Sequence, residues 1–236
     1  MAGITNANFV MKLIPFGFDM VTLGGYNTDS QTVAAGKKIL SRGRSEFDIA
    51  KDDLINTIEK ETNLIKNKYN VKVSANLRAI SPDPIIEISK IKLLDIVEVN
   101  CHCRQKEILD IGCGQSILED TDFLINYIKN IVKKSKSQVS VKIRANVEGI
   151  DTLKVAKIID NLSVDYLHID AMKPGFNYAD LDIISKIASE TDTFLIGNNS
   201  IRDIEDINAM INNGADGVSI ARAAINGKIN FNLKQV

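Results

Sequence analysis

Apolar residues along the chain follow two rhythms that take turns. Alternation with a period of two marks strands: Val71, Val73, Ala75 and Leu77 are interleaved with Lys72, Ser74 and Asn76, and comparable short runs occupy residues 18–23, 94–99, 139–143, 166–169, 194–196 and 218–220. Between these runs the apolar positions recur at helical spacing. Leu54, Ile55, Ile58 and Ile65 form one stripe, Ile85, Ile88 and Ile91 follow the opening Ser81-Pro82-Asp83-Pro84, and Phe123, Leu124, Tyr127, Ile128 and Ile131 follow a cap at Asp120 or Thr121. Three more stripes run through Leu153, Ala156 and Ile159, then Leu181, Ile184 and Ile187, then Ile204, Ile207 and Ile211. Seven strand-then-helix steps without a linker-like break predict an α/β protein, a closed (β/α)8 TIM barrel in a single domain over residues 1–236 rather than a doubly wound open sheet. The count is one strand short, at the front. Met1-Ala2-Gly3-Ile4-Thr5 reads as the loop after a first strand that is truncated or missing, or that precedes the recorded start.

Strand parity assigns side chains to the inside of such a barrel. In the run from Val139 to Arg144 the apolar residues face the helices, which turns Ser140, Lys142 and Arg144 inward. The same parity turns Asn76, Asn100, His168, Asp170 and Asn198 inward, all near the C-terminal ends of their strands, where barrel active sites are built. An inward lysine needs an anion or good acceptors to offset its desolvation. Two readings stand open for Lys142: an anionic ligand, or an ion pair with Asp170 and no ligand.

Chemistry concentrates at the end of one strand. Ile96-Val97-Glu98-Val99-Asn100 is followed by Cys101 and Cys103, then by a loop through Gly112, Cys113 and Gly114. Thiols and an amide there suit a reactive loop held on a rigid scaffold, while the plainer reading makes the cysteines small buried hydrophobes. Near the C-terminus, Gly197-Asn198-Asn199-Ser200 and Gly214-Ala215-Asp216-Gly217 lead toward helix starts at Ile201 and, through Ala221, at Arg222. Backbone amides, a helix start and an arginine make the usual phosphate site of barrels, unless Arg222 is an ordinary surface residue.

Composition narrows the partners. With 236 residues and 44% hydrophobic content the chain can bury a sizeable core, and a formal net charge of −1 excludes the global basic footprint of a dedicated nucleic-acid module. Lys133-Lys134-Ser135-Lys136 reads as a solvated helix end rather than an RNA contact. Three cysteines, two of them one residue apart, are no disulfide framework, and no secretory signal or long apolar span is seen. The expectation is a cytoplasmic protein without a membrane partner. Metal ligation by Cys101, His102, Cys103 and Cys113 is a further reading, although single-residue gaps are not a common zinc-finger spacing. The metal assignment is therefore none.

Six segments together resemble the dihydrouridine synthase family: Met1-Ala2-Gly3-Ile4-Thr5-Asn6; Asn100 with Cys103; Gly112-Cys113-Gly114-Gln115-Ser116-Ile117-Leu118; Val141-Lys142-Ile143-Arg144; Ile196-Gly197-Asn198; and Gly214-Ala215-Asp216 through Ala221-Arg222-Ala223-Ala224. The resemblance implies an FMN barrel in which NADPH or NADH reduces the flavin, hydride passes to C6 of a uracil ring, and a cysteine protonates C5. It makes Cys103 the proton donor and Lys142 the flavin-ring lysine. Cofactor contacts are implied from Gly3, Asn76 (a glutamine in the family), Asn100, Asp170, Asn198, Ala221 and Arg222. A cation beside the flavin N1 and O2 stabilises the anionic reduced ring, and a thiol suits a general acid.

The departures are specific. Asn-x-Gly-Cys-Pro becomes Asn100-Cys101-His102-Cys103-Arg104, a strand histidine becomes Asp170, and loop glycines become Asn199 and Ala221. Asn199 tolerates a left-handed backbone; Ala221 resists one if positive φ is required there. Family members acting on tRNA carry a helical domain after the barrel. The expectation here is a barrel lacking it, with a uracil-containing substrate, tRNA or a free pyrimidine, and a partner protein supplying RNA contacts. The alternatives are a dihydroorotate or dihydropyrimidine dehydrogenase-like enzyme on a small pyrimidine, which shares the Asn-x-x-Cys arrangement after a strand, and a divergent non-catalytic barrel.

Overall fold

A computed structural model describes residues 1–235. Seven strands, β1 (Met20–Asn27), β2 (Lys72–Arg78), β3 (Ile96–Cys101), β4 (Gln138–Arg144), β5 (Tyr166–Asp170), β6 (Phe194–Asn198) and β7 (Gly217–Ser219), form one sheet in sequential order, every neighbouring pair parallel. The helices are α1 (Ala7–Val10), α2 (Ser30–Ser41), α3 (Leu54–Lys66), α4 (Asp83–Ile88), α5 (Lys106–Leu109), α6 (Thr121–Lys134), α7 (Thr152–Asp160), α8 (Leu181–Glu190) and α9 (Ile204–Asn212). All seven predicted strands are present. None of the described helices is long and apolar enough to cross a membrane.

Parity works as the sequence implied. Val73, Ala75, Leu77, Val97, Val99, Val139, Val141, Ile143, Leu167 and Ile169 join the helix-facing core with Ile58, Ile65, Leu124, Ile128 and Ile159. Burying that face is the main stabilising term, at about 1.5–3 kcal/mol per large apolar side chain. Strands buried on both faces are what a parallel sheet covered by helices requires, and β3 is buried along its whole length. On the inner face, Met20, Ile96, Tyr166 and Ile196 from four strands meet in one apolar floor, so the sheet is curled.

An eighth strand is absent among the described residues, and no pairing joins β7 to β1. Residues 1–5 form a turn in which Thr5 makes an isolated bridge to Gly24 of β1. Segments just before β1 and just after β7 pack on each other instead. Leu13, Ala224 and Ile229 pack with Phe9, Phe16, Phe18, Ile220 and Phe231, an apolar plug drawn from both ends of the chain.

Asp120 caps α6, its side chain accepting from Phe123 N at 2.9 Å, as its position before the apolar stripe predicts. Two boundaries differ from the sequence reading. Helix α9 starts at Ile204 rather than Ile201 because Asp203 caps it, accepting from Asp206 N. The predicted terminal helix at Arg222 is a single 3-10 turn, Arg222–Ala224.

Candidate functional site

Above the apolar floor the inner face becomes polar, and Glu98 is its hub. Two residues before Asn100 on β3, it points inward and is buried. It accepts from Asn76 Nδ2 at 2.8 Å, from Ser140 Oγ at 3.1 Å and from His168 Nδ1 at 2.7 Å. Burial alone would raise its pKa, but His168, Lys142 and Asn76 outweigh that and hold the carboxyl well below the usual range. Burial and the Lys142 cation hold His168 below its ordinary value against Glu98. A neutral ring facing a carboxylate carries its proton on Nδ1, so Nε2 accepts from Ser219 Oγ at 2.7 Å.

A second chain of bonds leaves the other oxygen of Glu98. Asn76 donates to Glu98, Asn100 Nδ2 donates to Asn76 Oδ1 at 2.7 Å, and Asn100 Oδ1 accepts the backbone N–H groups of His102 at 3.1 Å and Cys103 at 2.9 Å. Both amide orientations are therefore dictated by the carboxylate, and the cysteine loop hangs from the end of the chain. Gly25 crosses above: a Cβ there would lie 2.6 Å from Asn76 Oδ1, so β1 can approach only as glycine.

The three cysteines part company. Cys101 is buried among helix-facing core residues, and burial drives its thiol far up. Cys113 is buried against Ala79 O at 3.5 Å, its thiol pushed up to about 12 by burial. Both follow the plain hydrophobe reading. Cys103 is half-buried at the mouth, its Sγ 3.8 Å from Arg78 Nη1. The four residues of the metal reading do not converge, and the described residues contain no cluster of three or more His, Cys, Asp or Glu able to hold a metal ion.

Asp170 sits at the end of β5 in a cage of donors. Its Oδ2 lies 2.7 Å from His102 Nε2 and 3.0 Å from Arg144 Nη2, and its Oδ1 accepts from Asn199 Nδ2 at 2.7 Å. Against the effect of burial, these partners hold the carboxyl below the usual range. His102 is held below its own ordinary range by burial and the Lys142 and Arg144 cations, despite Asp170. The Lys142–Asp170 ion pair is not formed. Lys142 Nζ has no hydrogen-bond or ion-pair partner among the described residues, and burial lowers its pKa while Glu98 and Asp170 pull the other way. Arg144 Nε is also buried without a partner.

On the rim, Asn198 Nδ2 donates to Ser219 O at 2.7 Å, and Asn199 and Ser200 adopt φ of 110° and 54°, so the asparagine keeps a left-handed turn. Ala221 has φ −123°, so the left-handed backbone that would favour glycine is not required there. Arg222 is exposed at the start of its 3-10 turn. Gly3 has φ +73°, and a Cβ on it would lie 2.6 Å from Glu46 N; it is pressed against the segment that carries the carboxylate partner of Arg78.

The structure thus groups Asn76, Asn100, Cys103, Lys142 and Asp170 on the inner side of the strand ends, with Asn198, Ala221 and Arg222 at the rim and Gly3 against the Glu46 segment. Residues not singled out in the sequence are Glu98, Arg78, Glu46 and Ser219. Glu98 and Arg78 share parity with Asn100 and Asn76, which is a usable signal; Glu46 lies in an irregular segment and carries none. The shallow groove on the outer face of α3, lined by Asn56, Glu59, Lys60 and Asn63, holds none of these groups.

Comparison with known proteins bears on this arrangement. The dihydrouridine synthase family model matches residues 45–232. An uncharacterized protein of Methanocaldococcus jannaschii is 36% identical over 98% of this chain and 89% of its own length. A probable tRNA-dihydrouridine synthase of Helicobacter pylori is 22% identical over 95% of this chain, which spans 65% of that protein. Among solved structures, a chain of the tryptophan synthase α2β2 complex of Pyrococcus furiosus superposes with a TM-score of 0.60 at 12% identity, covering 93% of this chain and 82% of that one, which shows a shared fold.

Proposed function

Because the chain belongs to the dihydrouridine synthase family, we propose that its barrel mouth binds FMN and reduces the C5=C6 bond of a uracil ring. The observation that carries the reading is Lys142, a cation on β4 whose inward side chain has no hydrogen-bond or ion-pair partner among the described residues. With the buried, unpaired Arg144 Nε beside it, the donor set fits an anionic, acceptor-rich group. When bound, FMN supplies hydride to C6 and regains it from NADPH or NADH.

Lys142 would hold the N1 and O2 edge of the ring, where its cation would offset the negative charge of the reduced flavin. Asn76 and Asn100 each retain an amide N–H beyond the one used in the Glu98 chain, which suits them to the same edge. Asp170 does not oppose that charge, because Arg144, His102 and Asn199 already occupy its carboxylate. The Asn199–Ser200 turn and Arg222 would take the phosphate. Cys103 delivers its proton to C5: the S–H bond breaks, its electron pair stays on sulfur, and a C–H bond forms. The substrate is uracil within tRNA, and with a net charge of −1 a partner protein supplies part of the RNA grip.

Titration with FMN, followed by flavin fluorescence quenching, should show saturable binding that Arg222→Ala weakens. Anaerobic reduction by NADPH or NADH and reoxidation by a tRNA transcript should follow. No binding at all would reject the flavin reading; reoxidation only by a free pyrimidine would replace tRNA with a small substrate.

A further inference from the structure

We infer that Arg78 is a positioning residue for Cys103, whose guanidinium holds the thiol in place and stabilises the thiolate left when the proton departs. The inference rests on the reading of Cys103 as proton donor. Arg78 follows Asn76 by two residues on the inner face of β2, and its side chain and that of Glu46 are each only 2% exposed. Every terminal donor of the guanidinium has a target. Nη2 bonds Glu46 Oε2 and donates to Gly25 O at 2.8 Å, while Nη1 donates to Glu46 Oε1 at 3.2 Å and toward Cys103 Sγ at 3.8 Å. The two-point grip of Glu46 fixes the guanidinium plane, and with it the N–H directed at sulfur. Cys103 is the one thiol of the three with such a donor among the described residues.

The sulfur is held from its own side as well. The Cys103 N–H is tied to Asn100 and its C=O accepts from Gln115 N at 2.9 Å. Gly114, with φ +65°, lets the loop close, since a Cβ there would lie 2.5 Å from Cys103 O. A buried Arg–Glu pair is weak evidence of stabilisation by itself. Here it delivers a fixed cation to the one half-buried thiol at the mouth. When the Cys103 S–H bond breaks and its electron pair remains on sulfur, that cation opposes the new charge; water later returns the proton.

The charged and titratable groups that face the sulfur are Arg78 from β2, with Glu46 behind it, Arg144 from β4, and Cys113 from the loop after β3. Removing one partner or both therefore has effects of opposite sign. Glu46→Gln leaves the arginine uncompensated, so the pH midpoint of Cys103 alkylation by iodoacetamide, read by peptide mass mapping, should fall. The paired Arg78→Gln, Glu46→Gln variant keeps the polar packing without either charge, and its midpoint should rise by about one pH unit relative to wild type. Loosening of the loop would move both variants the same way. Profiles that superimpose, or that shift together in one direction, would overturn the inference. The alkylation readout needs neither cofactor nor substrate. If the midpoints move as stated while uracil reduction is unaffected by Cys103→Ala, the proton-donor reading fails and the role of Arg78 toward the sulfur stands.

Discussion

Replacing Glu98 tests whether the inner polar network is built as described, because the alanine and glutamine variants should differ sharply. In Glu98→Ala, the Asn76 Nδ2 and His168 Nδ1 protons lose a buried acceptor, the Ser140 hydroxyl must rotate, and Lys142 loses a nearby carboxylate. Each orphaned buried donor costs about 1–3 kcal/mol, so the total is about 4 kcal/mol, within the range of about 3–5 kcal/mol for breaking a buried charged pair. In Glu98→Gln the network can be rewired. The amide oxygen accepts from Asn76, the amide NH2 faces Ser140 and His168 Nδ1, and His168 moves its proton to Nε2 and donates to Ser219. The cost should be about 1 kcal/mol.

Urea unfolding followed by circular dichroism measures both. The glutamine variant also has a pH signature. Since the folded-state pKa of Glu98 lies below its unfolded value of 4.5, its contribution is fully present above pH 4.5 and is lost as pH falls below it. The stability gap between wild type and Glu98→Gln should therefore narrow between pH 5 and pH 3. A Glu98→Ala protein within about 1 kcal/mol of wild type, or a gap that widens in acid, would refute the network.

Lys142→Met should weaken FMN at least about tenfold and lower its reduction potential, while the cofactor-free protein stays within about 1 kcal/mol of wild type in urea, because Lys142 makes no hydrogen bond or ion pair among the described residues; a larger loss of urea stability would reveal a partner for Lys142. Stopped-flow measurements on Cys103→Ala should show unchanged flavin reduction and reoxidation by substrate slowed about 10²–10⁴-fold, whereas Cys101→Ala, on the helix side of β3, should lose about 1 kcal/mol of stability and keep turnover. Arg222→Ala should weaken FMN but not riboflavin, which lacks the phosphate, in the same quenching titration.

The strands were legible because each reports its inner and outer faces at a fixed period of two, and that period also set Asn76, Asn100, Lys142 and Asp170 facing inward. Glu98 and Arg78 obey the same period and could have been read by extending it one step. What resisted reading has no period. Helix α2 carries Gly36 in its middle, a poor helix residue against which the Asn27 side chain packs so closely that a Cβ would make the amide shift. Glu46 reaches Arg78 from an irregular segment, and the plug across the β7–β1 gap joins Leu13 to Ala224 and Ile229, residues that no local pattern connects. The concern over Ala221 depended on a backbone angle, and with φ −123° it does not arise.

Three departures from the family pattern, His102, Asp170 and Asn199, look unrelated in sequence but are in contact in space. The family places glycine before the cysteine and histidine at the end of the fifth strand seen here; this chain has His102 and Asp170 at those positions, and His102 Nε2 meets Asp170 Oδ2 at 2.7 Å. The imidazole is therefore retained at the mouth, delivered from the loop instead of the strand. A carboxylate on β5 needs donors to be tolerated there, and Arg144 supplies one from β4 while Asn199, in the left-handed turn that glycine occupies in the family, supplies another. His102 in turn needs its backbone held, which Asn100 does with the same oxygen that holds Cys103. Three substitutions, His102, Asp170 and Asn199, thus form one set, with Arg144 as their shared cation. Because that set engages the aspartate, Lys142 makes no ion pair with it and has no hydrogen-bond or ion-pair partner among the described residues.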